Sequence, residues 1–208
     1  MWYPILVTVL MGYLLGNING SVCISTLTQH EDVRVHGSGN AGLTNFFRSY
    51  GGKATLLVAV ADGGKTVVAC LAGGLMLAPY GLEKLGMVLG GVAVSVGHDF
   101  PALLGFRGGK GIMCGIFALI VIDWRIAIVV FTLFAVAYAI TKYVSLGSIV
   151  GAITYIVGFL VLYRDDIPVM LGGMFLGFLA LYMHRGNMVR LLKGEESKVY
   201  LTKKGKKE

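Results

Sequence analysis

Apolar stretches dominate the chain, many of them 15 to 22 residues long and almost free of charge. About 20 such residues carry an α-helix across a bilayer, where every backbone polar group must be satisfied within the helix. With 56% hydrophobic and 14% charged residues, the composition excludes an ordinary soluble domain. It predicts an all-α integral membrane protein, a single polytopic domain over 1–208. Seven transmembrane helices are expected, near 3–25, 54–78, 82–97, 108–122, 126–141, 143–163 and 167–183. The first has no preceding basic residue and no small-residue cleavage pattern, so it is expected to be retained rather than removed as a signal peptide. The fourth is short for a crossing. A continuous helix over 111–141 would run about 45 Å and strand Asp123 and Arg125 in mid-membrane. Two helices turning at Asp123-Trp124-Arg125 are expected instead.

Of the 18 Lys and Arg residues, Lys65 lies inside a span, and Lys84, Arg125 and Arg164 fall in one set of loops. The other fourteen fall in the opposite set, including a basic tail over about 186–208. The positive-inside rule then puts the N-terminus outside and the C-terminus in the cytoplasm. The net charge of +7 is mostly this asymmetry. No basic stripe is interleaved with aromatics, so nucleic acid is not an expected partner. The run 203–207 is expected to touch anionic lipid. Cys23, Cys70 and Cys114 have neither disulfide nor metal spacing and read as small core residues; no metal site and no cofactor is expected.

Two cytoplasmic loops carry the chemistry. Residues 37–45 read Gly-Ser-Gly-Asn-Ala-Gly-Leu-Thr-Asn, followed by Arg48 and Lys53. Glycines let main-chain N–H groups converge on an oxyanion, and Ser, Thr and Asn side chains extend the donor set. Residues 105–111, Gly-Phe-Arg-Gly-Gly-Lys-Gly, form a second cradle with Arg107 and Lys110 flanking Gly108-Gly109. Gly37, Gly39 and Gly42 also satisfy G-x-G-x-x-G, with Asp62 twenty residues on. That acid falls in a long apolar span, whereas a dinucleotide site needs a βαβ unit. Gly64-Lys65-Thr66 lacks the earlier glycine of a P-loop. Asp62 and Lys65 share a helix face within the membrane. They are either a structural ion pair or a pair aimed at a cytoplasmic cavity. His98 closes the third span, and His184 and Asn187 share a face at the last boundary. His30 and His36 carry no metal-ligand pattern.

The chain resembles the bacterial acyl-phosphate:glycerol-3-phosphate acyltransferases, the PlsY family. The likeness rests on 37–45 with Arg48, on Gly97-His98 through Phe100-Pro101 to 105–111, and on His184-Arg185, Asn187, Arg190-Leu191, Gly194, Glu196 and Lys198. Asp62-x-x-Lys65 and Tyr143-Val144-Ser145-Leu146 add to it. Departures are Arg107 for a common Lys, Thr66 for a glycine, and Asn17-Ile18-Asn19 for Ser-Ile-Pro. The last two are expected to stay clear of the three central segments. The resemblance implies transfer of a fatty acyl group from acyl phosphate to the 1-hydroxyl of glycerol 3-phosphate, at the cytoplasmic face of the bacterial inner membrane. Lysophosphatidic acid and phosphate would be released in the first acylation step of phospholipid synthesis. Implied partners are the two substrates, membrane lipid, and the enzyme that hands over acyl phosphate.

Physical reasoning then distributes the roles. Ser38, Arg48 and the amides of Gly37, Gly39 and Gly42, with Asn40, Thr44 and Asn45, would hold acyl phosphate. Arg107, Lys110 and the amides of Gly108, Gly109 and Gly111 would hold glycerol phosphate. His184 and Asn187 would orient the attacking hydroxyl, with either His184 or a substrate phosphate oxygen taking its proton, and Asp62, Lys65 and His98 would belong to the substrate-binding set. None of the four histidines has an Asp five residues on, where Val35, Ala41, Leu103 and Val189 stand; this argues against the thioester-dependent acyltransferases that use H-x4-D. A transporter for a phosphorylated metabolite is the alternative.

Overall fold

The computed structural model describes residues 2–200, so the basic run 203–207 and its expected lipid contact lie outside them. The described residues are helical, in the order α1 (Trp2–Asn17), α2 (Gly20–Gln29), α3 (Leu43–Tyr50), α4 (Ala54–Leu77), α5 (Glu83–Asp99), α6 (Ile112–Ile122), α7 (Trp124–Thr141), α8 (Val144–Leu162), α9 (Ile167–Met183) and α10 (Arg185–Leu192). Five segments are long and apolar enough to cross a membrane: Trp2–Gln29, Ala54–Tyr80, Glu83–Leu104, Trp124–Thr141 and Val144–Leu162. A sixth qualifies only if α9 and α10, bent by 51° at His184, count as one span. All seven expected stretches are helical, but α6 has only 11 residues, about 16 Å of rise.

The break between α6 and α7 falls at Asp123, where the sequence places it. The Asp123 carboxylate caps α7 by accepting from the Arg125 amide at 3.0 Å, and it also takes the Arg125 guanidinium at 2.6 Å and the Tyr163 hydroxyl at 2.8 Å. The first span is less regular than its apolarity suggests. It breaks at Ile18-Asn19, and the Asn19 side chain accepts from the Val22 amide at 3.1 Å to start α2.

Helix α5 is the centre of the bundle, packed on α1, α4, α6 and α9. Lipid tails provide no hydrophobic drive for helices to associate, so close approach through small residues has to supply it. A Cβ on Gly73 of α4 would lie 2.2 Å from the Gly86 carbonyl oxygen of α5. One on Gly16 of α1 would lie 2.7 Å from the Gly97 Cα. Beyond these contacts the surface is oily, with Leu14, Leu56, Leu75, Ile128, Phe131, Val161 and Phe178 all exposed. A soluble monomer could not present so much apolar surface. Cys70 and Cys114 are core residues as expected, whereas Cys23 is exposed: it lies on α2, a helix that buries only Gly20, Ser21 and Ser25.

The chain's ends and loops sort into two groups. At one end, the 37–45 and 105–111 loops, the start of α8 and the 184–197 segment are joined by hydrogen bonds. The other end carries the α6–α7 break, where Lys84 donates to the Ile122 carbonyl at 2.5 Å.

Candidate active site

The break in the first span is held from behind by α4 and α5. Asp62 accepts from the Gly20 amide at 3.0 Å, and Lys65 donates to the carbonyls of Gly16 at 3.2 Å and Ile18 at 2.6 Å. The two side chains pair at 2.9 Å, and His98 Nδ1 lies 3.1 Å from the Lys65 amine and 3.5 Å from Asp62. A broken helix inside a membrane exposes amides and carbonyls that lipid cannot satisfy; a carboxylate and an ammonium supply both missing partners. Asp62, Lys65 and His98 are buried and hold the backbone on which the loops sit. Of the two readings of Asp62 and Lys65, this placement fits the structural pair.

The asparagines beside the break carry that geometry outward. Asn19 Nδ2 donates to the Ala41 carbonyl at 3.0 Å, and Asn17 Oδ1 accepts from the Leu103 amide at 3.1 Å. Asn17-Ile18-Asn19 therefore touches the first cradle and the approach to the second, contrary to the expectation that this departure stays clear of the central segments. Neither contact is signalled by sequence spacing.

The two cradles meet. Ala41 N and Asn40 Nδ2 both donate to the Gly108 carbonyl at 3.4 Å, and Arg34 reaches the carbonyls of Leu104 at 3.0 Å and Arg107 at 3.1 Å. Of the expected amide donors, those of Gly39 and Gly109 are committed within the protein. The amides of Ser38, Gly39, Ala41 and Gly109 donate to Asn45, His36, Gly108 and His98 respectively. A loop packed on a membrane helix must satisfy its own backbone first. Buried Asn45 likewise uses its whole amide on the loop, accepting from Ser38 N at 2.8 Å and donating to the Val33 and His36 carbonyls. Gly37, at φ +56°, has no room for a side chain beside it. Gly108 and Gly109 are pressed onto His98, where a Cβ on Gly109 would lie 2.1 Å from Nε2. Side chains extend the remaining donor set. Ser38, Arg48 and Arg107 are exposed, and Asn40 and Thr44 half-buried, on the shared face.

The C-terminal segment closes the site. The Lys110 amine donates to Asn187 Oδ1, and Asn187 Nδ2 donates to Glu196 Oε1 at 2.8 Å. Glu196 also accepts from Ser145 Oγ at 2.9 Å and Arg190 Nε at 2.8 Å, and Arg48 donates to the Ser197 carbonyl at 3.1 Å. Burial alone would raise the Glu196 carboxyl, but hydrogen bonds from Asn187, Ser145 and Arg190 outweigh it and hold it below the usual carboxylate range. Burial lowers the Lys110 amine below its ordinary value, assisted by the Arg190 and Arg48 charges and opposed by Glu196. His184 is buried with Nδ1 donating to the Ala180 carbonyl at 2.8 Å, which leaves Nε2 with the lone pair. Ser145, Arg190 and Glu196 were not among the expected site residues, although the sequence segments that contain them stand out.

Lys110 and Gly111 also line a cleft between α5, α6, α7, α8 and α9. Its walls are mostly apolar, with Ile112, Ile116, Leu119, Phe134, Leu176 and Leu179 among them. Cationic groups thus sit at the mouth of an oily slot. The sequence has a family model to match. The glycerol-3-phosphate acyltransferase model covers residues 6–194. The chain belongs to the glycerol-3-phosphate acyltransferase family. The glycerol-3-phosphate acyltransferase of Thermoanaerobacter sp. (strain X514) is 35% identical over 192 residues, 92% of this chain and 94% of that one. The Finegoldia magna acyltransferase is 37% identical over 190 residues, 90% and 92% of the two chains. Among solved structures, the glycerol 3-phosphate form of the integral membrane acyltransferase PlsY matches with a TM-score of 0.83 at 31% identity, covering 94% of this chain and 96% of that one. The lysophosphatidic acid form matches at 0.80 and 30%. The chain is therefore a membrane-embedded acyltransferase of the PlsY type, which removes the transporter alternative.

Proposed function

We propose that this acyltransferase moves a fatty acyl group from acyl phosphate to the 1-hydroxyl of glycerol 3-phosphate, yielding lysophosphatidic acid and inorganic phosphate. The observation that carries the reading is the junction of two charged loops at the mouth of an apolar cleft. One substrate brings a phosphate and a hydrocarbon chain, the other a phosphate and a hydroxyl, and this junction offers a place for each part. Related solved structures are described as glycerol 3-phosphate and lysophosphatidic acid forms of PlsY, which supports the acceptor and the product.

An acyl phosphate is a mixed anhydride with a good leaving group. Catalysis is then mainly positioning and charge neutralisation. In our assignment Ser38, Asn40, Thr44 and Arg48 face the acyl phosphate, while Gly37, Gly39, Gly42 and Asn45 shape their loop. Lys110 and Arg107 hold the glycerol phosphate, with Gly108, Gly109 and Gly111 giving the loop its close fit. Asn187 orients Lys110, and His184 Nε2 is the protein group available to take the hydroxyl proton. Asp62, Lys65 and His98 hold both loops in register. No covalent acyl-enzyme is invoked.

The same reading includes seven membrane crossings, an outside N-terminus, and a site facing the cytoplasm of the bacterial inner membrane. It is supported by the basic residues gathered at the loop end. Acyl phosphate would reach the site from the enzyme that makes it. The deciding test gives purified protein in lipid mesophase acyl phosphate and glycerol 3-phosphate and measures lysophosphatidate and phosphate in equal amounts. Turnover with an acyl thioester but not with acyl phosphate would refute the donor assignment.

A further inference from the structure

The apolar cleft has a polar wall for which the proposed reaction provides no task. Ser95 and Asp99 stand one helical turn apart on α5 and share a face; Tyr155 of α8 lines the same cleft. Their exposures are 2%, 2% and 5%. Ser95 Oγ, both Asp99 carboxyl oxygens and the Tyr155 hydroxyl have no hydrogen-bond partner among the described residues. Ser148, which also lines the cleft, donates to the Val144 carbonyl at 3.0 Å, so its hydroxyl is accounted for within its own helix. Unpaired buried polar groups are strongly unfavourable, and hydrocarbon cannot relieve them. The three residues make sense if the cleft's occupant brings a polar group of its own.

Position narrows what that group is. A Cβ on Gly111 would lie 3.1 Å and 3.2 Å from the two Asp99 oxygens, so the carboxyl sits beside the residue next to Lys110, at the cleft mouth. An acyl chain entering past Lys110 passes Asp99 within its first few carbons. We propose that this acyltransferase selects acyl donors bearing a hydroxyl close to the acyl carbonyl, with Asp99 as the specificity-determining residue and Ser95 and Tyr155 in support. The hydroxyl donates to Asp99 and accepts from a serine or tyrosine hydroxyl. A plain alkyl chain leaves all four oxygens buried and unpaired. Sites built to hydrogen-bond a substrate hydroxyl discriminate strongly against analogues that lack it, whereas apolar pockets discriminate weakly.

The inference rests on the reading that acyl phosphate is the donor and that its chain fills this cleft. The full-length protein in lipid mesophase, with glycerol 3-phosphate, is given β-hydroxymyristoyl phosphate or myristoyl phosphate. The hydroxylated donor is expected to show a kcat/KM about tenfold higher, the equivalent of one satisfied hydrogen bond to a charged group. Asp99→Leu is expected to bring the ratio to about one, lowering the first value and raising the second. Turnover of myristoyl phosphate by the variant itself reports that it is folded. If Asp99→Leu is inactive with both, Tyr155→Phe and Ser95→Ala read the same ratio and should each reduce it. Equal use of both donors by the wild type, or a preference that survives these substitutions, overturns the proposal. Failure of the wild type with both donors refutes the donor reading instead.

Discussion

Glu196→Gln tests whether the C-terminal segment organises the phosphate end of the site. The carboxylate receives three donors, Ser145 Oγ, Asn187 Nδ2 and Arg190 Nε, at 2.8 to 2.9 Å. A glutamine presents one oxygen and one N–H₂ group, so one of those donors must face another donor. The Arg190 contribution is small, because that side chain is 44% exposed and exposed pairs contribute about 0–1 kcal/mol. Ser145 and Asn187 are buried and share Oε1, so each exchanges a charged acceptor for a neutral amide oxygen, and the combined loss is about 2 kcal/mol. That is about thirtyfold in an equilibrium or rate constant.

The loss should appear mainly in KM for glycerol 3-phosphate. A more weakly held Asn187 positions Lys110 less well, and a group that binds the phosphate equally in ground and transition states moves KM more than kcat. Ser145→Ala removes a single donor and should lose about fivefold, corresponding to about 1 kcal/mol. The pH dependence is a further check. The folded Glu196 pKa lies below its ordinary 4.5, so the carboxylate contacts are complete above pH 4.5 and vanish as pH falls through the folded value. The difference between wild type and Glu196→Gln should be flat from neutral pH down to about 4.5. The assay is steady-state lysophosphatidate formation with glycerol 3-phosphate varied. A Glu196→Gln enzyme within threefold of wild type, or one whose KM is unchanged while kcat falls, would refute the reasoning.

Lys110→Ala should raise KM for glycerol 3-phosphate with a smaller change in kcat; an inactive enzyme with unchanged KM would remove Lys110 from phosphate binding. His184→Gln should abolish turnover while calorimetry still detects glycerol 3-phosphate binding, and a variant with normal kcat would exclude it as the base. Gly109→Ala places a Cβ 2.1 Å from His98 Nε2, and overpacking of about 1–3 kcal/mol should displace the second cradle and cut activity at least tenfold without loss of helical circular dichroism. Asp123 is held at about 2, from an ordinary 3.8, by hydrogen bonds from Arg125 and Tyr163. Its contribution, reduced because Arg125 is 59% exposed, is present above pH 3.8 and lost as pH falls toward 2. Asp123→Asn should therefore lower thermal stability in detergent at pH 7 and lose less at pH 3, with activity at permissive temperature little changed.

Features that span a short stretch of sequence were legible. The apolar runs, the turn at Asp123 and the two glycine-rich loops each depend on neighbours within about 20 residues, and periodicity, charge and glycine content report such neighbours. The break at Ile18-Asn19 was hidden because its cause is distant: Asp62 and Lys65 satisfy the freed amide and carbonyls from 42 to 49 residues away. The same ion pair takes one loop amide out of the ligand donors. A glycine-rich sequence shows how many N–H groups could turn toward an anion, but not how many the fold already needs. Here His98, fixed by Asp62 and Lys65, draws Gly109 N onto its own carbonyl. In our assignment the phosphates are met chiefly by Arg48, Arg107 and Lys110. It follows that substitutions at Arg48, Arg107 and Lys110 should alter substrate affinity one residue at a time. Loss of Asp62 or Lys65 should instead affect both loops together, since both rest on the one broken helix.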